Sequence, residues 1–466
     1  MKINPKIFKA YDIRGIYPTD INEDNFATIT KAIYTFFVGD IKKDRLRIVL
    51  GCDMRTSSPS LFEIAKKTLL DLGANIVDVG LVSTPTFYFA CLQYRADCGL
   101  QISASHNPPQ WNGVKFVKRV GKTLIKIGKN TGMEKVKELA LKGNFVEKKT
   151  GAKIEKINKA VSDEVDFAFA YVKPAKIKKL KVVADPANAM GIVYLEEMFK
   201  RLPCQLIRMN FNLDGNFPAH EPNPLIYKNL VDLQKKVIDE KADLGIAPDG
   251  DGDRVFFIDE KGKVIQASLI SALIANEMLK KYKGEKIGLD IRYTGNIATA
   301  VKKAGGKPIV GPVGHALISE LMRREKILFT GESSGHYFYR DTGYAESSVI
   351  TILMILDIIS RENKPISQII SQYVSSIESG EINFTLPQNV QAKDFLNEFA
   401  QKYQDGKISW LDGLSVDYPN WRFNIRASNT EPLIRLNVEG ETTELVNKKT
   451  SELKEKLLAR GAKLKE

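Results

Sequence analysis

Leu46-Arg47-Ile48-Val49-Leu50-Gly51-Cys52-Asp53 is an apolar run closing on an aspartate, and the segments after it decide the fold. A polar turn at 55–60 leads into an amphipathic helix through Leu70, then Gly73, then a second apolar run at 75–79. The same phrase recurs at 180–185, with a loop and helix to Arg201 and a second run at 204–209. It returns at 286–290, with a helix over 295–304, the pair Gly305-Gly306 and a run at 308–310. Each phrase is a strand–loop–helix–strand unit. Strands joined this way pair in parallel through right-handed crossovers, which predicts three similar α/β domains with mixed, largely parallel sheets. Ligands of such sheets bind at the loops on the carboxyl ends of the strands.

The last stretch reads differently. After a polar hinge at 375–380 come a strand at 381–386, a helix near 393–402, strands around 421–425 and 433–438, and a helix over 443–459. This pattern predicts a smaller C-terminal α+β domain. The expected boundaries are 1–150, 151–256, 257–374 and 375–466.

Asp249-Gly250-Asp251-Gly252-Asp253-Arg254 sets three carboxylates at alternate positions. Like charges that close repel unless a cation sits among them, and the two glycines let the backbone curl so that the carboxylates converge. Hard oxygen donors suit Mg²⁺ or Ca²⁺. The plain alternative is an acidic surface turn. An EF-hand loop also fits at its first, third and fifth ligands, with Glu260 at the twelfth position. Against it, Arg254 stands where that loop needs glycine, and the flanks at 242–247 and 255–258 read as strands. A metal with an arginine beside it is what a phosphate requires.

Composition narrows the partners. With 43% hydrophobic and 27% charged residues, the 466-residue chain is an ordinary globular one. Its longest apolar run, 349–359, is broken by Thr351 and Asp357 and reads as a buried helix, so no membrane partner is expected. Lys2 and Lys6 precede no apolar signal core. Four scattered cysteines point to a reducing, cytoplasmic setting. The net charge of +13 invites nucleic acid, but the lysines alternate with acids and apolar residues at helical spacing. That pattern describes solvated helix faces without an aromatic-basic platform, so anionic small molecules are the expected partners and nucleic acid is not.

Three further loops carry chemistry. Ser103-Ala104-Ser105-His106-Asn107-Pro108-Pro109 follows a short strand. Adjacent Ser and His side chains point apart in most conformations, so this reads as a rigid turn and not as a dyad, with Lys115 a few residues on. Gly331-Glu332-Ser333-Ser334-Gly335-His336 matches a nucleophile elbow around Ser333. That reading fails because Tyr337-Phe338-Tyr339 looks extended and His336 is the last of four histidines. Glu332 and Ser334 suit paired sugar hydroxyls instead. Arg426-Ala427-Ser428-Asn429-Thr430-Glu431-Pro432, between two strands, offers a cradle for a phosphate dianion, an ordinary hairpin turn being the alternative.

Taken together, the four loops resemble those of the α-D-phosphohexomutases, from Tyr11-Asp12-Ile13-Arg14-Gly15 to the loop at 426–432, over nearly the whole chain. Tyr11–Gly15, Pro109-Gln110-Trp111-Asn112-Gly113 and Asn429 are similar to the phosphomannomutase/phosphoglucomutase branch. The resemblance implies four domains around a central cleft and reversible phosphoryl transfer between the 1- and 6-positions of mannose or glucose phosphate. It implies a phosphoserine at Ser105, a Mg²⁺ held by that group with Asp249, Asp251 and Asp253, and a hexose 1,6-bisphosphate intermediate. Lys115 is the first acid/base candidate and His336 the second. Arg14, Arg55 and Arg254 become positive neighbours of the phosphoserine, Arg254 in a catalytic role. Tyr11, Arg14, Arg292, His315, Glu332, Ser334, Arg426, Ser428, Asn429, Thr430 and Arg435 bind the substrate on the same footing. The chain departs from the branch at Arg292, where lysine is usual, and just before Gly314. A phosphoglucosamine mutase is the alternative within the fold, and a non-catalytic sugar-phosphate-binding protein lies outside enzymology. A monomer or dimer is expected.

Overall fold

A computed structural model describes residues 3–387, 390–427 and 433–465. By internal packing the chain forms two compact units, Met1–Ile265 with Ser334–Ile369, and Gln266–Ser333 with Ile370–Glu466.

Two sheets lie wholly within the first unit. In one, Arg47–Cys52 lies between Asn75–Leu81 and Cys98–Ile102 and pairs in parallel with both. Trp111–Val120 then runs antiparallel to Cys98–Ile102 and pairs on its other side with Ile13–Ile16. Ile48 through Cys52 are all buried, as befits a strand covered on both faces. Helices Glu23–Ile41 and Thr84–Gln93 start at Asn22 and Ser83, whose side chains accept the backbone N–H of Asn25 and Thr86. In the second sheet Lys181–Ala184 pairs in parallel with Gln205–Arg208 and with Leu244–Pro248. Leu244–Pro248 turns back antiparallel to Val255–Ile258, so the acidic loop is the tip of a hairpin. The apolar run near 350 is helix Ser348–Glu362, buried for most of its length.

In the second unit Lys286–Asp290 pairs in parallel with Lys307–Gly311 and Phe329–Gly331. A separate sheet is antiparallel in the pairings of Leu414–Asp417, Trp421–Ala427, Leu433–Gly440 and Ile382–Thr385. Phe384, Phe399, Phe423, Leu436, Leu453 and Leu457 form its core with helices Ala392–Ala400 and Thr443–Leu458. Glu439 joins the two sheets. Its carboxylate accepts the Thr294 N–H (2.7 Å), the Thr294 hydroxyl (3.0 Å) and the Gly295 N–H (3.0 Å), capping helix Gly295–Lys303. The three repeated phrases therefore fold as expected, each with its parallel pair, and the C-terminal stretch forms the distinct α+β layer.

A buried acid marks the helix pair Thr84–Gln93 and Ala160–Val172. Glu164 is 3% exposed and accepts the Thr86 hydroxyl at 2.5 Å. Burial pushes it up to about 7, and the hydrogen bond offsets this only in part. Because the folded value lies above the unfolded one, its best contribution is present below the ordinary glutamate range and is lost as pH rises toward 7. Glu164→Gln is therefore expected to raise stability at pH 8 by about 2 kcal/mol. It should change little at pH 4, which thermal melts at the two pH values would read.

Candidate functional site

The hairpin tip is built to hold three acids together. Asp249 Oδ1 accepts the backbone N–H of Gly252 at 3.0 Å and of Arg254 at 3.2 Å, which curls the loop on itself. Gly252 has φ +77°, the left-handed conformation that such a turn needs. The Thr84 N–H donates to the Asp251 carbonyl (2.9 Å) and the Ser348 hydroxyl to the Gly252 carbonyl (2.7 Å). Asp249, Asp251 and Asp253 are buried, each with a carboxylate oxygen within 4.8 Å of the others.

Gly250 serves a different purpose from the one its sequence position indicated. A methyl group there would lie 2.3 Å from the Ser105 carbonyl oxygen. The serine loop packs directly on the acidic loop, and only a residue without a side chain admits it. Ser105 follows strand Cys98–Ile102 and adopts φ +52°, an uncommon conformation for a residue with a β-carbon. Its N–H donates to Ser103 Oγ at 2.9 Å, and its hydroxyl donates to Asp249 Oδ2 at 3.3 Å. That left-handed turn also corrects the expectation for Ser105 and His106. Ser105 Oγ lies 3.2 Å from His106 Nδ1, so the adjacent side chains meet. Burial, then Arg254 and Arg14, push His106 well below the usual histidine range, which leaves it neutral.

Arginines shape this loop. Arg55, fully buried, donates to the carbonyls of Ser105 (2.7 Å), Asn107 (2.6 Å), Pro108 (2.8 Å) and Trp111 (3.0 Å). It braces backbone, and Asp53 Oδ2 lies 3.2 Å from its Nε. Arg14, on strand Ile13–Ile16, donates to Asn107 Oδ1 (2.6 Å) and the Ala104 carbonyl (3.2 Å) and pairs with Asp12 (2.7 Å). Tyr11 lies just before that strand and is half-buried.

Cations answer the acids. Lys115 Nζ lies 2.5 Å from Asp251 Oδ2 and 2.7 Å from Asp253 Oδ2. Burial pulls this ammonium down, but Asp251 and Asp253 outweigh it and hold its pKa above the usual lysine value. Burial likewise raises Asp249, with Asp253 and Asp251 adding to it. In Asp253 the same burial is overcome by Lys115 and His336, which hold it well below the usual carboxylate range. Arg254 Nε is 3.8 Å from Asp249 Oδ2 and donates to His336 Nε2 at 3.3 Å. That nitrogen is also 3.3 Å from Asp253 Oδ1, and a single tautomer satisfies one of the two contacts. Ser334 Oγ lies 2.9 Å from His336 Nδ1.

Two orphaned atoms show what the pocket is made to take. Asp251 Oδ1 and Arg254 Nη1 are buried with no hydrogen-bond partner among the described residues. Free carboxylate oxygen among three acids fits a hard divalent cation, and an unspent guanidinium N–H beside it fits an anion.

The second unit carries the other predicted residues. Arg292 donates to both oxygens of Asp290 (3.1 Å and 2.9 Å from Nε, 2.5 Å from Nη2) and to Glu332 Oε1 (3.2 Å). Glu332 also accepts the Gly314 N–H at 3.2 Å, and His315 opens helix His315–Glu325. Ser333, rejected as a nucleophile, donates its hydroxyl to Asp290 Oδ2 at 2.8 Å. Strand Tyr337–Tyr339 comes next in the chain, as the rejection of an elbow required. Arg426 and Arg435 stand opposite each other on adjacent strands. Ser428, Asn429 and Thr430 lie outside the described residues.

Four family models match in order along the chain. They are the phosphoglucomutase/phosphomannomutase α/β/α domains I (5–145), II (157–262) and III (267–376), and the C-terminal domain (381–456). The chain belongs to the phosphoglucomutase/phosphomannomutase family. It is 36% identical over 456 residues to a phosphomannomutase of Vibrio cholerae, covering 96% of this chain and 97% of that one. To a phosphomannomutase of Escherichia coli it is 37% identical over 443 residues, covering 93% and 94%. A crystal structure of a phosphoglucomutase/phosphomannomutase family protein from Burkholderia thailandensis superposes with a TM-score of 0.87 at 30% identity, covering 99% of each chain.

Within this family fold, the serine loop belongs to the stretch matched by domain I and the acidic loop to that matched by domain II. Sequence reading named Arg55 as a neighbour of the phosphoserine but not as a brace of its backbone, and it missed three contributors: His106 as a partner of Ser105, the Thr84 anchor and the close approach at Gly250. None has a signal in spacing, because each acts between segments distant in the chain or through a backbone angle. Gly250→Ala is expected to cost about 1–3 kcal/mol by overpacking. It should also push the serine loop off the acids, read as reduced stability in denaturant together with weaker Mg²⁺ binding by calorimetry.

Proposed function

We propose that the protein is a reversible phosphomannomutase/phosphoglucomutase that moves a phosphoryl group between the 1- and 6-positions of a hexose phosphate. Ser105 carries the group, and a hexose 1,6-bisphosphate is the intermediate. One observation bears most of the weight: Ser105 Oγ sits 3.3 Å from Asp249 Oδ2, on a left-handed turn that faces the three aspartates.

Asp249, Asp251 and Asp253 would hold the metal, for which Mg²⁺ is the natural choice among hard cations of cytosolic phosphate chemistry. When bound, such an ion draws charge from the phosphoryl group and makes a phosphoserine a competent donor. Arg254 turns its spare N–H toward an anion, and Arg14 helps fix the loop that bears Ser105. Neutral His106 is placed to accept the hydroxyl proton when Ser105 takes the phosphoryl group back. Lys115, kept protonated by two aspartates, serves as a cation and proton donor and not as a resting base. His336, fixed by Ser334 and Arg254, stands as the acid/base candidate toward the sugar hydroxyl. Arg292, His315, Glu332, Arg426 and Arg435 would receive the sugar and its distal phosphate, together with Tyr11, Ser334 and residues 428–430.

The relatives' names favour mannose phosphates, and side-by-side kcat/KM values for mannose 1-phosphate, glucose 1-phosphate and glucosamine 6-phosphate decide the branch. Ser105→Ala is expected to lower turnover on the order of 10⁴-fold or more, as loss of a nucleophile does, with an unchanged melting temperature. Intact-mass spectra should show one phosphoryl group on wild type primed with glucose 1,6-bisphosphate and none on the variant. Undiminished turnover without Ser105 sinks the reading. Asp251→Asn, which removes one ligand charge, should weaken Mg²⁺ binding roughly tenfold or more by calorimetry.

A further inference from the structure

We propose that Glu381 is a built-in counter-ion that competes with the substrate's phosphate for the arginines of the C-terminal sheet and so sets how tightly that phosphate is held. This rests on the mutase reading for its substrate, although the competition itself is a matter of anion chemistry.

Arg426 and Arg435 are directly opposed residues of strands Trp421–Ala427 and Leu433–Gly440. Like charges at such a position destabilise the ladder unless an anion lies between them. Glu381 supplies one. It precedes strand Ile382–Thr385, whose Asn383 pairs with Arg435, and its carboxylate is thereby delivered to both guanidiniums. Glu381 Oε2 is 3.3 Å from Arg426 Nη2, and Oε1 is 3.2 Å from Arg435 Nη1. Arg292 Nη1 lies further off, 3.8 Å from Oε2, its other donors being spent on Asp290 and Glu332.

The pairing is incomplete by design of its parts. Arg426 is 3% exposed, yet its Nε has no hydrogen-bond partner among the described residues. One carboxylate offers two oxygens and one charge to this pair of forks. A phosphate monoester offers three oxygens and close to two charges, so it can satisfy the Arg426 donor that Glu381 leaves over. Both anions cannot hold the same guanidiniums, because their charges would face each other across a few ångströms. Glu381 is also the member able to leave. Its side chain is 27% exposed, whereas that of Arg426 is enclosed.

Calorimetric titration of the full chain with inorganic phosphate tests this without requiring turnover. Glu381→Gln, which keeps shape and removes charge, should bind phosphate about tenfold tighter than wild type. The gain should vanish in the Glu381→Gln/Arg426→Ala double variant, which assigns it to this cluster. In steady state the same single variant should lower KM for a hexose 1-phosphate while kcat stays level or falls through slower release. Loss of a merely structural Glu381 would instead raise KM and weaken phosphate binding. Glu381→Asp, drawn back by one methylene, should show a smaller gain and carries the test if Glu381→Gln does not fold. Equal or weaker phosphate binding in a folded variant, or a gain that survives loss of Arg426, overturns the proposal. Absent turnover on every hexose phosphate, with the phosphate gain intact, would instead sink the mutase reading and spare this one.

Discussion

Three carboxylates forced into one buried loop are the constraint on which the first unit depends. At an effective dielectric of about 20, two unit charges about 4 Å apart interact by about 4 kcal/mol, so three acids cannot stay ionised together unaided. Lys115 reaches Asp251 and Asp253 from strand Trp111–Val120, and Arg254 follows the triad in its own loop. The response is uneven. Asp253 stays firmly ionised while Asp249, poorer in cations, is driven upward by burial and its two acidic neighbours. The acid nearest Ser105 is thus the one whose charge is least secured, which is where an added cation gains most.

The second unit meets the mirror problem. Arg292, Arg426 and Arg435 gather cations, and Asp290, Glu332 and Glu381 disperse their repulsion. Arg292 is bound on two sides and reads as a fixed part of the wall, its planar fork suited to two carboxylates in a way that lysine is not. Arg426 and Arg435 share one partially exposed carboxylate, and Arg426 Nε has no hydrogen-bond partner among the described residues.

Backbone geometry carries as much of the site as charge does. The left-handed turn at Ser105 is costly for a side-chain-bearing residue and persists because Arg55 grips four carbonyls around it and Ser103 holds its N–H. Removing this buried guanidinium would leave those acceptors unsatisfied, at a cost of order 1–3 kcal/mol for each buried group. The strain therefore sits where the reactive hydroxyl is and is compensated by hydrogen bonds elsewhere in the loop.

Much of this was legible along the chain. Periodicity and glycine punctuation determined the three strand–loop–helix–strand phrases and the hairpin flanks of the acidic loop, because those features depend on neighbours a few residues apart. Residue type determined the class of ligand: alternating aspartates ask for a hard cation, and a loop of arginine, hydroxyls and amide asks for a phosphate. Tertiary structure alone decided which groups meet. It set Gly250 under the Ser105 carbonyl, turned His106 back toward the serine that precedes it, spent Arg55 on backbone, and placed Glu381 between two arginines. Those outcomes depend on close approach between segments far apart in sequence, or on a single positive φ, and neither quantity leaves a period or a composition to read.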